Sequence, residues 1–580
     1  MIRFFLGDTI YAVGCNKELT PADINKLSWL FGGAACLEAR SVSGFFIGPR
    51  REMVTPWSTN AVEITQNMDI EGISRIEEFV VADHSGVSYD SMLQEMNEGL
   101  DQDIFTILHH PEPVKEVVDI AGYNLQEGLA LSDEEINYLS DLSRRIGRPL
   151  TDSEVFGFSQ VNSEHCRHKI FNGTFIINGK EREETLFSMI RKTSAKNPNF
   201  IVSAYKDNVA FISGPRIRQF APENPDRPGF FRIRDIDSVI SLKAETHNFP
   251  TTVEPFNGAA TGSGGEIRDR MAGGKGSIPV AGTAVYMTSY PRNCEEHIWK
   301  SVVKPRKWLY HTPGDLLIRA SNGASDFGNK FGQPLICGSL LTFEHKTGNT
   351  TYGYDKVIML AGGIGYARAS DSLKQDPQPG DKVVVLGGDN YRIGMGGGAV
   401  SSVATGQFSN AIELNAVQRS NPEMQKRVFN AVRAMAELEN NPVVSIHDHG
   451  AGGHLNSLSE LVEVTGGRID IDKLPVGDPT LSDREIIGNE SQERMGLVMR
   501  PDNIEFLERV ARRERAPVFV VGETTGDQNL VFINNKTGIK PINLHLADMF
   551  GKPPRTVLED VSRKDEFPAL RYKAANLKQY

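Results

Sequence analysis

The first 120 residues alternate short apolar runs with a helical pattern. The runs IRFFL, SGFFIG and EEFVVAD have the length and composition of strands, whereas PADINKLSWLFGG repeats its apolar positions with a helical period. This mixture predicts a small α+β unit over residues 1–120. The N-terminal run MIRFFLGDTIYAVG is interrupted by Asp8, so we expect it to begin with a β-strand and not to be a signal peptide.

A helical pattern follows over residues 121–195. Ser132 and Glu135 stand three residues apart at the start of LSDEEINYLSDLSRRIG and match a capping box, and Leu139 and Leu142 lie on one apolar stripe. We therefore expect a helical linker in this region. The same region contains the polar segment NSEHCRH.

Strand patterns dominate residues 196–372, and strands alternate with helices over residues 373–552. FIVSAY and VAFISG flank the turn KDN as a hairpin, and the segment DPQPGD separates the two regions. The later runs KVVVLGG, PVVSIHD and PVFVVGE alternate with helical segments, which favours an α/β layer. The fold class is thus predicted to be multidomain, α+β and α/β. Residues 553–580 are polar, and we expect a linker-like tail there.

Composition excludes several classes of protein. Hydrophobic residues make up 39% and charged residues 24% of the chain, which is typical of a globular protein and not of a disordered or fibrous one. The net charge of −11 gives no long-range attraction for nucleic acid or an anionic membrane. No apolar run is long enough to predict a membrane span. The five cysteines form no CxxC pair, so we expect a cytoplasmic protein with reduced thiols.

Residues 243–277 contain many polar and charged side chains that could take part in catalysis or binding. In an extended strand, Lys243, Glu245 and His247 share one face because side chains alternate between the two sides. A base, a carboxylate and an imidazole on one face suit phosphate binding, metal binding and proton transfer. A solvated edge strand would show the same pattern, so the trio alone leaves both interpretations open.

A glycine-rich segment follows this trio. Seven glycines lie within the nineteen residues from Gly258 to Gly276, which predicts a loop whose backbone N–H groups bind an anion. Arg268 and Lys275 would neutralise phosphate oxygens, and Asp269 would hold a divalent cation. The segment is not a P-loop, because Lys275 is followed by glycine and not by serine or threonine. A flexible loop with incidental charges is the alternative.

The segment VVSIHDHGAGGHLNSLSELVEV, residues 443–464, is a second candidate. A strand leads into Asp448, and a glycine turn and a helix follow, which puts a carboxylate beside the free N–H groups of a helix start. Asp448 would suit magnesium. His447, His449 and His454 suggest zinc, but no cysteine or HxxxH pair supports that metal.

Three shorter segments add candidates. In NSEHCRH, adjacent residues rarely face each other, so we expect Cys166 to be structural and His165 to act as an acid/base group or charge stabiliser. NESQER, residues 489–494, offers groups that suit a polar substrate. GMGGGA, residues 394–399, has a loose dinucleotide-loop form, but no βαβ unit of the right length contains it.

These segments occur in the order found in one family. NSEHCRHKIF, LKAETHNFP, EPFNGAATGSGGEIRD, YRIGMGGGA, IHDHGAGGH and NESQERM resemble the motifs of phosphoribosylformylglycinamidine synthase in its large multidomain form. The resemblance covers essentially the whole chain and is weaker over residues 1–120. It implies an ATP-dependent amidotransferase of purine biosynthesis that uses magnesium. Its substrates would be formylglycinamide ribonucleotide, ammonia and ATP, and its products formylglycinamidine ribonucleotide, ADP and phosphate.

The resemblance also implies an architecture and partners. A small N-terminal α+β domain and a linker precede one synthase half of the aminoimidazole-ribonucleotide-synthase type. A second synthase half and a glutaminase domain belong to the same family, and we expect this chain to lack both. The alternative is a non-catalytic nucleotide-binding half that needs its partner for any activity. A thiamine-phosphate or selenophosphate kinase is a third hypothesis, against which the SEHC and ETHN segments argue.

By motif, the resemblance implies roles for individual residues. His165 and His247 match catalytic histidines, and Glu245, Asp269 and Asp448 match magnesium ligands. The implied nucleotide-binding set consists of Lys243, His168, Gly258, Ala259, Ala260, Thr261, Gly262, Ser263, Gly264, Gly265, Glu266, Ile267, Arg268 and Asp269. The implied substrate-binding set consists of Thr246, Asn248, Arg268, Gln418, Glu490, Ser491 and Gln492.

Overall fold

The N-terminal unit is an antiparallel sheet with two helices. The computed structural model of the protein describes residues 1–83, 86, 87, 89–91, 93–107, 110–292, 307–402, 405, 413, 416–490, 493–550, 554–563 and 571. The elements of this unit are β1 Ile2–Leu6, β2 Ile10–Cys15, α1 Pro21–Leu30, β3 Ala35–Cys36, β4 Val42–Pro49, α2 Pro56–Asn67, β5 Ile73–Ala82 and β6 Gln94–Leu100. The strand order is β3-β1-β2-β5-β4-β6. The predicted first strand is confirmed as one arm of a hairpin with β2.

The linker is helical, as predicted. Ser132 and Glu135 form the expected capping box, and Leu139 and Leu142 are buried. The elements are β7 Glu116–Val117, α3 Ile120–Glu127, α4 Asp133–Ile146, β8 Leu150–Thr151, α5 Asp152–Val161, α6 Glu164–Arg167, β9 Thr174–Ile177, β10 Lys180–Glu181 and α7 Leu186–Lys196. All ten residues of α5 are buried, so the linker is part of the protein interior and not a surface tether.

A six-stranded sheet comes next, in the order β11-β12-β13-β18-β14-β15. Its elements are β11 Ile201–Ser203, β12 Ala210–Pro222, β13 Phe231–Thr246, α8 Asn248–Val253, α9 Pro255–Met271, β14 Ile278–Thr288, α10 Pro313–Phe331, β15 Leu335–Thr342, β16 Glu344–Thr347, β17 Thr350–Gly353 and β18 Ile358–Arg368. The predicted KDN hairpin is confirmed, since β11 and β12 pair antiparallel around it.

The last large unit is a seven-stranded sheet, in the order β20-β22-β19-β23-β21-β24-β25. The elements are β19 Lys382–Gly387, α11 Gly397–Val400, α12 Pro422–Ala436, β20 Val443–Asp448, α13 Gly453–Leu461, β21 Gly467–Asp470, α14 Asp483–Gly488, β22 Arg494–Met499, α15 Ile504–Glu514, β23 Val518–Thr524, β24 Asn529–Ile533, β25 Ile542–His545, α16 Leu546–Phe550 and β26 Val557–Asp560. Mixed α/β architecture was the predicted class. Among the described helices, none has the length and apolar character that crossing a membrane requires.

Both faces of the seven-stranded sheet are covered, and each face ties the sheet to another unit. Val383 and Val385 of β19 pack in one core with α5 and α13. Val384 and Leu386 point to the other face, where α9 and α10 of the six-stranded unit join α12 and α15 in a second core. The linker and both sheets therefore hold one another in fixed positions, which is what a site built from all three requires.

The structure of residues 554–563 differs from the linker-like tail that the sequence predicts. Residues 557–560 form β26, which pairs parallel with β9 of the linker, so this stretch is not a free linker. The pairing partner lies about 380 residues earlier in the chain, which explains why a local polar pattern gave no sign of it.

Candidate active site

A cavity of about 940 Å³ lies where the linker and the two large sheets meet. The wall combines residues of α6, β13, α9, β20 and the loops between them. Predicted site residues on this wall are His165, His168, Lys243, Glu245, Thr246, His247, Asn248, Thr261, Gly265, Arg268, Asp269, Gln418, Asp448 and Glu490. Ser491 and Gln492 lie outside the described residues. Residues drawn from more than 300 positions of the sequence thus face one space.

The six-stranded sheet supplies a lysine between two carboxylates. Lys243 Nζ lies 2.8 Å from Asp269 Oδ2 and 3.4 Å from Glu245 Oε2. Burial and the neighbouring Asp269 charge raise the pKa of Glu245 well above its usual range. Burial also acts to raise the pKa of Asp269, but the Lys243 charge and the hydrogen bonds from Glu245 and Lys243 together outweigh it, and the pKa is lowered. Glu245 therefore holds its proton more readily than Asp269 does.

The seven-stranded sheet supplies the third carboxylate, at the end of β20. Asp448 Oδ2 lies 3.9 Å from Arg268 Nε, and burial together with the Asp269 charge raises the pKa of Asp448 to about 6. Its neighbour His447 places Nε2 2.5 Å from Glu460 Oε2. Burial acts to lower the pKa of His447, but Glu460 outweighs it and the value is about 9. Positive charges thus surround a carboxylate that faces the cavity.

Two histidines approach the cavity from opposite units. His165 lies on α6, a single turn capped by the Ser163 hydroxyl, and His247 directly follows the last residue of β13. Burial lowers the pKa of His247 to about 4, and burial also lowers the pKa of His165. Both rings are consequently neutral near pH 7. His247 Nδ1 has no hydrogen-bond partner within the described part of the chain.

The neighbouring thiol gives no nucleophile. Burial raises the pKa of Cys166 to about 12, and the Cys166 backbone N–H donates to the Ser163 hydroxyl. A thiol with this pKa stays protonated at neutral pH.

The predicted glycine loop is a helix. Residues Pro255–Met271 form α9, and their backbone N–H groups are largely used within the helix, so the interpretation of Gly258 to Asp269 as an anion-binding loop is wrong. The glycines serve close packing instead. A side chain on Gly258 would meet the backbone of Pro250 at 2.3 Å, and one on Gly264 would meet the Phe327 ring at 2.7 Å.

One face of α9 still reaches the cavity. Thr261, Gly265, Arg268 and Asp269 line it, a spacing that one helix face produces, whereas the other predicted positions of the segment point elsewhere. The positions of the predicted set that do not line the cavity are Gly258, Ala259, Ala260, Gly262, Ser263, Gly264, Glu266 and Ile267. The helix therefore contributes side chains to the site.

Backbone N–H groups that donate to a carboxylate occur elsewhere, around Glu490. The N–H groups of Gly398 and Gly452 donate to Glu490 Oε1 at 3.2 and 3.1 Å, and the Gln418 side-chain amide donates to the other oxygen. Burial nonetheless raises the pKa of Glu490 to about 7. These two glycine-rich segments thus hold a carboxylate of the protein itself.

The hairpin turn KDN carries a contact that the sequence did not reveal. Asn208 Nδ2 donates to Asp269 Oδ1 at 3.1 Å and to Asp448 Oδ1 at 2.5 Å. The sequence pattern predicts only a turn between strands at these three residues. The one available signal was a cluster of polar side chains in a turn, which is common in loops that have no function.

Three family models match three separate parts of the chain. The model described as formylglycinamide ribonucleotide amidotransferase N-terminal matches residues 8–111, and the linker domain of the same family matches residues 120–169. The model described as AIR synthase related protein, C-terminal domain, matches residues 378–534. The chain carries the N-terminal, linker and first synthase regions of the formylglycinamide ribonucleotide amidotransferase family. The predicted family and its multidomain fold are therefore confirmed.

Solved structures agree with this amidotransferase fold. Thermotoga maritima PurL complexed with FGAR has 23% identity and a TM-score of 0.52, over 76% of this chain and 59% of that one. The same protein complexed with ATP has 22% identity and a TM-score of 0.50, over 77% and 60%. The chain thus spans about three fifths of the length of these structures.

Proposed function

We propose that the chain is the synthase part of an ATP-dependent amidotransferase that makes formylglycinamidine ribonucleotide from formylglycinamide ribonucleotide, ammonia and ATP. The observation that carries the proposal is the convergence of Glu245, Asp269 and Asp448 with two neutral histidines in one cavity. The family models of the N-terminal and linker regions support this reaction over that of a related kinase. We place the reaction in the cytoplasm.

Charge neutralisation is the first task of the site. Transfer of a phosphoryl group to the amide oxygen develops negative charge, which cations and fixed dipoles stabilise. Arg268 is almost fully buried, and its Nη1 donates to Gln425 Oε1 at 2.9 Å, so its position is fixed before substrate arrives. Lys243 is held in the same cavity between two carboxylates. Both would hold phosphate oxygens without a large reorganisation.

Proton removal is the second task. When ammonia attacks the activated carbon, the new amine must lose a proton before phosphate leaves. His247 suits this role because its ring is neutral and its Nδ1 accepts no hydrogen within the described residues. His165 lies close enough for its charge to lower the pKa of His247, and it serves as a second acid/base group.

The carboxylates fit a magnesium ion. Mg²⁺ usually takes one or two carboxylates and completes its shell with water and phosphate oxygens. Among the described residues, no group of three or more His, Cys, Asp or Glu side chains is arranged so that it could hold a metal ion by itself. Asp269 and Asp448, brought together by Asn208, provide the pair that such a site needs, with Glu245 adjacent. When bound, the ion would neutralise triphosphate charge.

We assign the remaining lining residues to the two substrates. Lys243 and His168 lie on the wall with Thr261, Gly265, Arg268 and Asp269, and we propose that this side takes ATP. Formylglycinamide ribonucleotide would contact the polar groups that line the rest of the cavity, namely Thr246, Asn248, Arg268, Gln418 and Glu490, with Ser491 and Gln492 beside them in the chain.

A second synthase half and a glutaminase are the proposed partners. Edge strand β15 exposes Ile336, Leu340 and Leu341 at 65%, 51% and 51%. An apolar edge of this kind invites pairing with another chain or domain. We propose that a second synthase half covers this edge. Ammonia would then come from glutamine hydrolysed on the glutaminase.

Calorimetric titration of the chain with magnesium-ATP and with formylglycinamide ribonucleotide tests the proposal. Asp269→Asn keeps the size of the side chain but removes its charge, so magnesium-ATP should bind at least ten-fold more weakly, about 1.4 kcal/mol. Asp235→Asn is the matched control, because this exposed carboxylate lies on the same strand as Lys243 but eight residues away. Binding of neither ligand by the unsubstituted chain would instead favour the non-catalytic half.

A further inference from the structure

Asn208 joins two carboxylates that come from different units. Asp269 lies on α9 beside the six-stranded sheet, and Asp448 ends β20 of the seven-stranded sheet. The amide nitrogen of Asn208 donates to an oxygen of each, at 3.1 and 2.5 Å. An asparagine NH₂ carries two hydrogens, so it can satisfy both acceptors at once. One neutral side chain thus spans the boundary between the units.

The turn that carries Asn208 is anchored on both sides. Asp207 accepts a hydrogen bond from the Gly274 backbone N–H at 2.6 Å and lies 2.5 Å from Lys374 Nζ. Gly274 follows α9, and Lys374 lies in the connection between the two sheets. Tyr205 precedes the turn with a left-handed φ of 63°, a conformation that non-glycine residues rarely adopt. The turn is therefore held in place by contacts with both neighbouring units.

The electrostatics explain why an amide suits this position. Two carboxylates that approach each other repel, and each needs a donor if it is to stay ionised. A lysine here would supply a donor but cancel the negative charge that attracts a cation, and an aspartate would add a third negative charge. An amide donates to both oxygens and adds no charge. The pair keeps its spacing and its affinity for a divalent cation.

We propose that Asn208 is a positioning residue that sets the spacing of the Asp269 and Asp448 carboxylates and thereby the divalent-cation affinity of the cavity. The inference rests on the proposed function, since it takes these two carboxylates as the cation site. It adds a residue outside the implied ligand set and gives it a role that does not depend on contact with substrate.

Binding of Mn²⁺ to the full chain, followed by electron paramagnetic resonance without nucleotide, tests the role. Asn208→Ala should weaken Mn²⁺ binding by about ten- to one-hundred-fold, the usual effect of removing a group that orients a metal ligand. Asn224→Ala is the matched control, because this asparagine lies in the β12–β13 hairpin of the same sheet, bonded to Arg227. Its Mn²⁺ affinity should equal that of the unsubstituted chain.

A second variant separates positioning from general stability. Asn208→Asp adds a carboxylate, so in chelator the melting temperature should fall, and Mn²⁺ should restore it with an affinity no weaker than that of the unsubstituted chain. A purely structural asparagine would instead lose stability in both variants with unchanged Mn²⁺ affinity, which would overturn the role of Asn208 alone. An unsubstituted chain that binds no Mn²⁺ would overturn the cation site and with it the proposed use of magnesium.

Discussion

Helix α9 and the two glycine turns at residues 394–398 and 450–453 use glycine for opposite reasons. In α9, Gly258, Gly262, Gly264 and Gly265 have ordinary helical backbone, and each stands against a wall of neighbouring atoms. In the turns, Gly394, Gly396, Gly452 and Gly453 adopt positive φ, which favours glycine. The N–H of Gly452 and that of Gly398, which lies in the short helix α11, donate to Glu490. Glycine density alone therefore does not distinguish an anion-binding turn from a tightly packed helix.

The largest effect should come from adding a methyl group to α9. Gly258→Ala would place Cβ 2.3 Å from the Pro250 carbonyl carbon and 2.4 Å from the Thr251 nitrogen. Backbone cannot rotate away as a side chain can, so the loss of stability should exceed about 3 kcal/mol, the upper end for overpacking. The urea midpoint measured by fluorescence would report it.

The matched control for this helix variant is Gly229→Ala in the β12–β13 hairpin. The atom nearest to a Cβ added at Gly229 would lie 3.9 Å away, and the φ of Gly229 is not left-handed. The control should unfold at the midpoint of the unsubstituted chain. If Gly258→Ala unfolded at the same urea midpoint as this control, α9 would not depend on the close approach of Gly258 to the Pro250 backbone. Glycine would then not have the packing role in α9 that distinguishes this helix from the turns.

The pH dependence of stability tests the role of the two glycine turns around Glu490. Glu490 has a pKa of about 7 in the folded chain, above its usual value near 4.3, so its contribution to stability is fully present below pH 4.3 and is lost as pH rises toward 7. Glu490→Gln removes the ionisable group and avoids this loss. Between pH 5 and 6.5 the free energy of unfolding of the unsubstituted chain should fall by about 2 kcal/mol relative to the variant.

Urea midpoints of the two proteins at several pH values measure this difference. The Gln418 amide oxygen has no partner among the described residues, so a flip of that amide would accept a hydrogen from the substituted side chain and keep the turn intact. Parallel pH profiles for the two proteins would mean that Glu490 keeps an ordinary pKa and that the turns offset its burial completely.

The same contrast explains what the sequence could predict. The capping box of Ser132 and Glu135 and the hairpin around KDN depend on residues a few positions apart, and both are present. Helix α9 was missed because each glycine costs about 1 kcal/mol in a helix, and only contacts with distant residues overcome that cost. The amide of Asn208 was missed because its acceptors lie 61 and 240 positions away.

The motifs predicted which residues belong to the candidate site, but they did not predict the contacts and protonation of these residues. His165, Glu245, Asp269 and Asp448 face one cavity, as expected if the motifs converge. Their protonation follows from burial and from neighbours that no local pattern contains, such as Lys243 beside Asp269. Roles assigned by motif stay predictions until variants test them.

The smallest expected effect concerns the contact between α9 and His247. Gly262→Ala would place Cβ 2.9 Å from both His247 Cβ and Met359 Sδ. Met359 can move because its side chain is flexible, while the His247 backbone N–H is held by the Met359 carbonyl at 2.9 Å. The imidazole should shift by a few tenths of an ångström, and ammonia-dependent turnover should fall about ten-fold, since misplacement by about 1 Å can cost 10².

Turnover measured with the second synthase half supplied, together with the KM for ATP, would report this shift. Gly264→Ala is the control on the same helix, because its Cβ would meet the Phe327 ring away from the cavity. It should lose stability yet keep its turnover per folded molecule. Equal turnover in both variants would mean that α9 does not fix His247, and the glycines of the helix would then serve only the core.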